Sequence, residues 1–184
     1  GSQVVAYPFT VGHECGGSIV QLGAAVRHLT VGQRVAVDPA IICGTCDQCL
    51  AGRHHTCRNL RYLGCPGQLE GCLSEYLVMP AACCIPVPET LDHAQVALLE
   101  PLSIACYAVR LAGVTPGTPL AILGAGPIGL CVLAAARALG AGPIMVSEPL
   151  AYRRQAALAM GATWVGEPSD DLPATIQGLA PQLL

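Results

Sequence analysis

Leu120–Pro149 reads LAILGAGPIGLCVLAAARALGAGPIMVSEP: an apolar run, a glycine turn, an Ala- and Leu-rich stretch long enough for three helical turns, and a second apolar run. This alternation predicts a βαβ unit, the building block of an α/β sheet. Gly124-x-Gly126-x-x-Gly129 falls where the first strand passes into the helix, the context in which that motif carries meaning. Gly124 permits a tight turn, Gly126 lets a pyrophosphate approach the backbone, and Gly129 allows helix to pack closely on strand. Unsatisfied N–H groups at the helix start attract the anion, and Pro127 suits the first helical turn. The competing reading is a glycine turn that merely packs.

Glu148 ends the second strand, nineteen positions after Gly129. A carboxylate there can accept hydrogen bonds from both hydroxyls of an adenosine ribose and repels a 2′-phosphate, which favours NAD over NADP. Arg153 and Arg154 lie just beyond. One of them could offset part of that repulsion, or both are solvated helix residues.

Downstream, AYRRQAALAMGA predicts a helix, TWVGE a short strand, and DDLPATIQGLA a final helix with Pro173 in its first turns. Upstream the texture is different. To about residue 90, short β-prone stretches (GGSIVQLG, RVAVDP, LSEYLVMP, CCIPVPE) alternate with Gly and Pro, predicting a small β-barrel-like domain. From Leu91 the chain turns helical through DHAQVALLEPLSIACYAVRLAG, interrupted once by Pro101. Two domains are expected, residues 1–104 and 105–184.

Between the second and third β-prone stretches lies CGTCDQCLAGRHHTC, with the spacing Cys43-x2-Cys46-x2-Cys49-x7-Cys57. Four thiols in one loop can enclose a single tetrahedral zinc ion, and four sulfur ligands leave no open position, so such a site is structural. Gly44, Asp47 and Gly52 are turn formers that let the loop wrap the ion. Four free or disulfide-bonded cysteines are the alternative. The other seven (Cys15, Cys65, Cys72, Cys83, Cys84, Cys106, Cys131) sit mostly among apolar residues, where a thiol packs as a small hydrophobe.

His13 and Glu14 adjoin in VGHE before Gly16-Gly17. On their own they read more readily as a hydrogen-bonded structural pair than as a metal site. Glu100, just before Pro101, reads as a helix cap or as a buried acid that demands a partner. His28, His54, His55 and His93 read as surface residues.

Composition narrows the function. The 184 residues are 53% hydrophobic with net charge −3, enough apolar content for one good core or two modest ones. All nine basic residues are arginine, and they form no basic stripe, so nucleic acid is a poor partner. Gly, Pro and Arg break every apolar stretch before it reaches membrane-spanning length. No signal-peptide pattern opens the chain, which points to the cytoplasm, and Gly1-Ser2 resembles a cloning remnant.

Taken in order, VGHE, CGTCDQCLAGRHHTC, EPLSIACYAV, ILGAGPIGL and SEPLAYRRQAALAMGA closely resemble the zinc-dependent medium-chain dehydrogenases, particularly the polyol and threonine dehydrogenase branch. The resemblance covers nearly the whole chain. It implies a GroES-like β-barrel with two zinc sites, joined to a doubly wound parallel Rossmann sheet that binds NAD, and assembly as a homodimer or homotetramer. It implies that His13 ligates a catalytic zinc, that Glu14 is a second ligand or holds a water, and that Glu100 faces the metal from the other side. Cys43, Cys46, Cys49 and Cys57 match the structural zinc ligands, and Ile128, Glu148 and Arg153 match positions that contact NAD. The implied reaction is hydride transfer from a secondary alcohol, polyol or amino alcohol to NAD.

The resemblance also implies parts that are not found here. Family members carry, some tens of residues before His13, a cysteine ligand of the catalytic zinc and a hydroxyl residue for proton relay. Their Rossmann sheet has about six strands, against about three expected from this chain. The chain therefore reads as a middle portion, with little or no activity by itself. Two alternatives to the alcohol or polyol dehydrogenase are a formaldehyde-type dehydrogenase or reductase of the same superfamily and a non-catalytic zinc-binding module.

Overall fold

In a computed structural model, the structure describes residues 5–168 and 172–179. The reading of Gly1-Ser2 lies outside the described residues, as do both ends of the DDLPATIQGLA stretch. The chain divides into two compact units, Gly1–Glu100 and Pro101–Leu184.

The first unit is built on short antiparallel strands. β1 (Gly16–Ser18), β2 (Arg34–Val37) and β5 (Cys84–Pro86) form a three-stranded sheet with β2 in the centre, where Val35 and Ala36 are buried. Gly16 pairs with Ala36, and Val37 pairs with Cys84. A second sheet consists of β3 (Ala40–Ile41) and β4 (Arg61–Tyr62), with Ala40 opposite Tyr62. Between these last two strands runs the cysteine loop, which holds the one-turn helix α1 (Asp47–Leu50).

LSEYLVMP, expected as a strand, is not one. No described strand lies alongside it to complete a hydrogen-bonding ladder, and Tyr76 and Val78 stay 72% and 96% exposed. The apolar alternation is there, but a strand is defined by its partner.

Helix α2 (His93–Ala97) starts at a capping box: Asp92 accepts from the Gln95 backbone N–H while Gln95 Oε1 accepts from the Asp92 N–H. It buries Val96 completely against β1. Helix α3 (Leu99–Leu111) follows at once. Pro101 thus falls in a first turn, where its missing N–H costs nothing, and the helical run breaks at Leu98 instead.

The second unit is the expected alternation. Strands β6 (Leu120–Leu123), β7 (Ile144–Ser147) and β8 (Trp164–Gly166) lie parallel in that order. All four residues of β7 are buried, as the middle strand of a covered parallel sheet requires. Helix α4 (Pro127–Ala138) turns Leu133 and Ala136 into a core shared with Val109, Ile122, Ile144 and Val146. Helix α5 (Ala151–Ala159) buries Ala157 in the same core. Helix α6 (Leu172–Leu179) forms with Pro173 in its first turn, where proline is tolerated. Among the described residues no helix is long and apolar enough to cross a membrane.

Candidate functional site

The cysteine loop folds back on itself because Gly44 and Gly52 adopt left-handed backbone angles, φ +72° and +73°. Helix α1 presents Cys49 inward, and Asp47 braces the outside with paired bonds to Arg58 at 2.5 and 2.8 Å. Ligand atoms of Cys43, Cys46, Cys49 and Cys57 all lie within 4.8 Å of one another. Cys43 Sγ is 3.6 Å from Cys57 Sγ and 4.0 Å from Cys49 Sγ. Tetrahedral zinc with Zn–S bonds of ~2.3 Å separates its sulfurs by about 3.8 Å, so the donor set fits that ion. Backbone N–H groups help: those of Thr45 and Cys46 hold the Cys43 thiol down to about 5, and that of Arg58 lowers Cys46. Burial instead pushes Cys49 up to about 12.

All eleven cysteines are free thiols. Outside the loop, burial raises Cys83, Cys84 and Cys15, the last to about 12, which fits inert packing. Cys106 departs from that pattern, because the outer side of α3 leaves it exposed.

His13 is positioned by the segment just before it. Val11 and Gly12 carbonyls accept the N–H groups of Leu73 and Cys72 at 3.1 and 2.9 Å. Two glycine backbones press against the same segment. A Cβ on Gly64 would lie 2.3 Å from Gly12 O, and one on Gly71 would lie 2.3 Å from Val11 C. The chain is thereby clamped where the imidazole leaves it.

His13, Glu14 and Glu100 bring one ligand atom each within 4.8 Å of the others, although 86 positions separate Glu14 from Glu100. One imidazole and two carboxylates suit zinc, a harder donor set than the four sulfurs of the loop. Glu100 stands in the first turn of α3, where the helix dipole favours a carboxylate. His28, His54, His55 and His93 are all exposed and belong to neither group.

Tyr62, which local sequence patterns do not single out, completes this group. Its hydroxyl donates to Glu100 Oε1 at 3.1 Å, and its ring meets the His13 ring edge-on at 5.4 Å between centroids. Burial and the neighbouring carboxylates, Glu100 foremost, push the phenol up to about 12.

In the second unit the glycine turn has the anticipated form. Gly124 adopts φ +99°, Gly126 caps α4 and Pro127 opens it. A Cβ on Gly129 would lie 2.0 Å from Gly124 O, whereas one on Gly126 would meet nothing nearer than Arg153 Nη1 at 3.9 Å. Gly129 is thus required by packing, while the space in front of Gly126 is clear. Ile128, the next residue of α4, is 44% exposed.

Glu148 is 3% exposed and both its oxygens are engaged: Oε2 accepts from Ala125 N–H at 2.8 Å and Oε1 from Leu150 N–H at 2.9 Å. The Leu150 and Ala125 N–H groups lower its pKa and keep it ionised. It therefore ties the glycine turn to the end of β7, a role its place in the sequence did not disclose. The two arginines divide. Arg154 donates to the carbonyls of Glu148 and Pro149 at 2.7 Å each and pairs with Glu167 at 2.8 Å, so it is no solvated helix residue. Arg153 lies against Tyr152 and near Gly126.

Known proteins resemble this chain along nearly its whole length. Residues 1–89 match the family described as alcohol dehydrogenase GroES-like domain. The chain is 39% identical over 165 residues to sorbitol dehydrogenase of Bacillus subtilis, covering 90% of this chain and 46% of that protein. It is 37% identical over 169 residues to D-xylulose reductase A of Aspergillus oryzae, covering 92% and 47%. A solved structure described as a zinc-binding dehydrogenase from Sinorhizobium meliloti 1021 bound to NADP is 39% identical, with a TM-score of 0.86 over 96% of this chain and 50% of that one. The chain spans about half the length of the curated relatives it matches.

Proposed function

Because this chain belongs to the zinc-dependent medium-chain dehydrogenase/reductase family, we propose that the protein carrying it oxidises a secondary alcohol, most plainly a polyol, by transferring hydride to NAD. The observation that carries the proposal is the donor set His13, Glu14 and Glu100, a mixed imidazole–carboxylate cluster that stands apart from the four-sulfur set of the same unit. The first unit is the catalytic domain in this reading and the second the NAD-binding domain. The names of the relatives, sorbitol dehydrogenase and D-xylulose reductase, support a polyol as the small-molecule substrate.

A bound zinc ion would supply Lewis acidity to the alcohol oxygen and NAD would accept the hydride. The residues of the chain have separate tasks. His13, Glu14 and Glu100 would hold the catalytic metal, and Cys43, Cys46, Cys49 and Cys57 the structural one. Gly124 and Gly126 bare the N–H groups that begin α4, so a pyrophosphate can approach them. Ile128 and Arg153 flank that approach. Tyr62 donates to one oxygen of Glu100, which supports an oriented carboxylate at the metal.

NAD rather than NADP is favoured by the ionised Glu148 at the end of β7, whose charge opposes a 2′-phosphate. Arg154 is committed to Glu167 and two carbonyls, which leaves Arg153 as the nearby cation for any such phosphate. A relative solved with NADP keeps the second cofactor in view. A cytoplasmic setting and assembly as a homodimer or homotetramer rest on the family resemblance.

The test is a panel of polyols, threonine and simple alcohols with NAD and with NADP on the complete protein, beside metal analysis. Polyol oxidation with NAD, two zinc per chain, and loss of activity in His13→Ala are expected. A metal-free complete protein that binds neither dinucleotide would overturn the proposal.

A further inference from the structure

The donor set His13, Glu14 and Glu100 is assembled from two distant segments, and two of its three members are carboxylates that repel each other. Before an ion neutralises them, groups so placed need other contacts to keep their geometry. Tyr62 is placed to supply them. Its backbone is pinned from two sides, by the pairing of β4 with Ala40 and by a bond from its N–H to Gln68 Oε1 at 2.7 Å. From that fixed base its side chain reaches both segments: the hydroxyl bonds Glu100 Oε1 at 3.1 Å, and the ring packs edge-on against His13 at an interplanar angle of 66°.

We propose that Tyr62 is a positioning residue of the candidate catalytic metal site, its hydroxyl fixing the Glu100 carboxylate and its ring fixing the His13 imidazole in the orientation that binds the ion. The proposal rests on the reading of His13, Glu14 and Glu100 as metal ligands. A hydrogen-bonded partner of a ligating carboxylate selects the rotamer and the lone pair it presents, and loss of such a partner typically weakens metal binding or activity by 10–100-fold. The inclined ring contact, 5.4 Å between centroids, is of the T-shaped kind that aromatic pairs favour and disfavours rotation of the imidazole. Neither contact requires Tyr62 to change its own protonation.

The test uses the complete protein in wild-type, His13→Ala, Tyr62→Phe, Tyr62→Leu, Glu100→Gln and Tyr62→Phe/Glu100→Gln forms. Metal content is measured during competition with a chelator, and Co²⁺-substituted protein is examined by absorption. Metal held by the cysteine loop serves as the internal sign of correct folding. Tyr62→Phe keeps the ring and removes the hydroxyl, so on the order of tenfold weaker retention of one metal equivalent is expected, with a shifted cobalt spectrum. Tyr62→Leu loses both contacts and should lose more. Once Glu100→Gln is present, adding Tyr62→Phe should cost much less than it does alone, the non-additivity of groups acting as a unit.

If His13→Ala leaves the metal content unchanged, the metal reading of this group and the role of Tyr62 both fall. If His13→Ala loses one equivalent but Tyr62→Phe matches wild type in retention and spectrum, only the role of Tyr62 falls. Loss of the cysteine-loop metal in Tyr62→Phe and Tyr62→Leu alike would mark Tyr62 as a general folding residue and also overturn the proposal.

Discussion

Gly126→Ala and Gly129→Ala add the same methyl group three residues apart, and the structure assigns them opposite costs. At Gly129 the new Cβ would lie 2.0 Å from Gly124 O and 2.9 Å from Gly124 C, with Ile122 3.7 Å away. A carbon and a carbonyl oxygen ordinarily approach no closer than about 3.3 Å, so the turn or the helix must give by more than an ångström. The obstacle is backbone, so the cost belongs in the upper part of the ~1–3 kcal/mol typical of overpacking. Alanine in a helix gains back ~1 kcal/mol over glycine, which leaves a net loss of about 2 kcal/mol and a thermal midpoint lower by about 4–8 °C. At Gly126, φ −69° and ψ −178° suit any residue, and the nearest atom is 3.9 Å away. Stability should change by less than ~0.5 kcal/mol. What the methyl group occupies is the approach of a pyrophosphate, so NADH binding followed by fluorescence should weaken at least tenfold, about 1.4 kcal/mol. The expected outcome is a dissociation: Gly126→Ala folds normally and binds poorly, whereas Gly129→Ala loses stability as well. Undiminished NADH binding by Gly126→Ala, or a Gly129→Ala protein as stable as wild type, would refute the reasoning.

Arg154→Ala removes an ion pair to Glu167 and two bonds to carbonyls from a side chain only 19% exposed. Charged hydrogen bonds of this kind predict a loss of about 2 kcal/mol by urea unfolding. Lysine should not rescue it, because one ammonium cannot reproduce the guanidinium fork. Asp47 is held down to about 2, chiefly by Arg58, below the unfolded value of ~3.9. Its contribution to stability is thus present above pH ~4 and is lost as pH falls through about 2. Carboxyl NMR titration should find Asp47 in Arg58→Ala returned toward the ordinary value. Cys49→Ser removes a buried member of the four-sulfur set, and loss of that metal should cost about 4 kcal/mol or more. A chelator should then lower the thermal midpoint more in wild type than in the variant.

The βαβ unit was legible because its constraints are local. A strand, a glycine turn and a helix each announce themselves within a few residues, and the need for glycine at position 129 arises from atoms five residues away. The cysteine loop was legible for the same reason, since all four donors fall within fifteen residues. LSEYLVMP misled because alternation states which side of a strand is apolar and says nothing about whether a neighbour is present to pair with it. Tyr62 gave no signal at all. Its two partners lie 49 residues before it and 38 after it, and a single tyrosine in a two-residue strand has no pattern to read.

Glu148 shows how a correct local inference can still miss what a residue does. Its distance from Gly129 identified a carboxylate at the end of β7, and the charge is retained, but the partners are its own backbone. A carboxylate only 3% exposed would carry a severe desolvation cost if unpaired. The N–H groups of Ala125 and Leu150 remove that cost and in doing so fasten the middle residue of Gly124-Ala125-Gly126 to the strand end. Arg154 then holds the same strand end from behind through the Glu148 and Pro149 carbonyls. Each oxygen of Glu148 still has a lone pair beyond the one its N–H partner uses, so acceptance from a ribose and support of the turn are compatible. Substitution of Glu148 would therefore disturb the turn and the cofactor together, and for that reason the open face of Gly126 isolates nucleotide recognition more cleanly than the acid does.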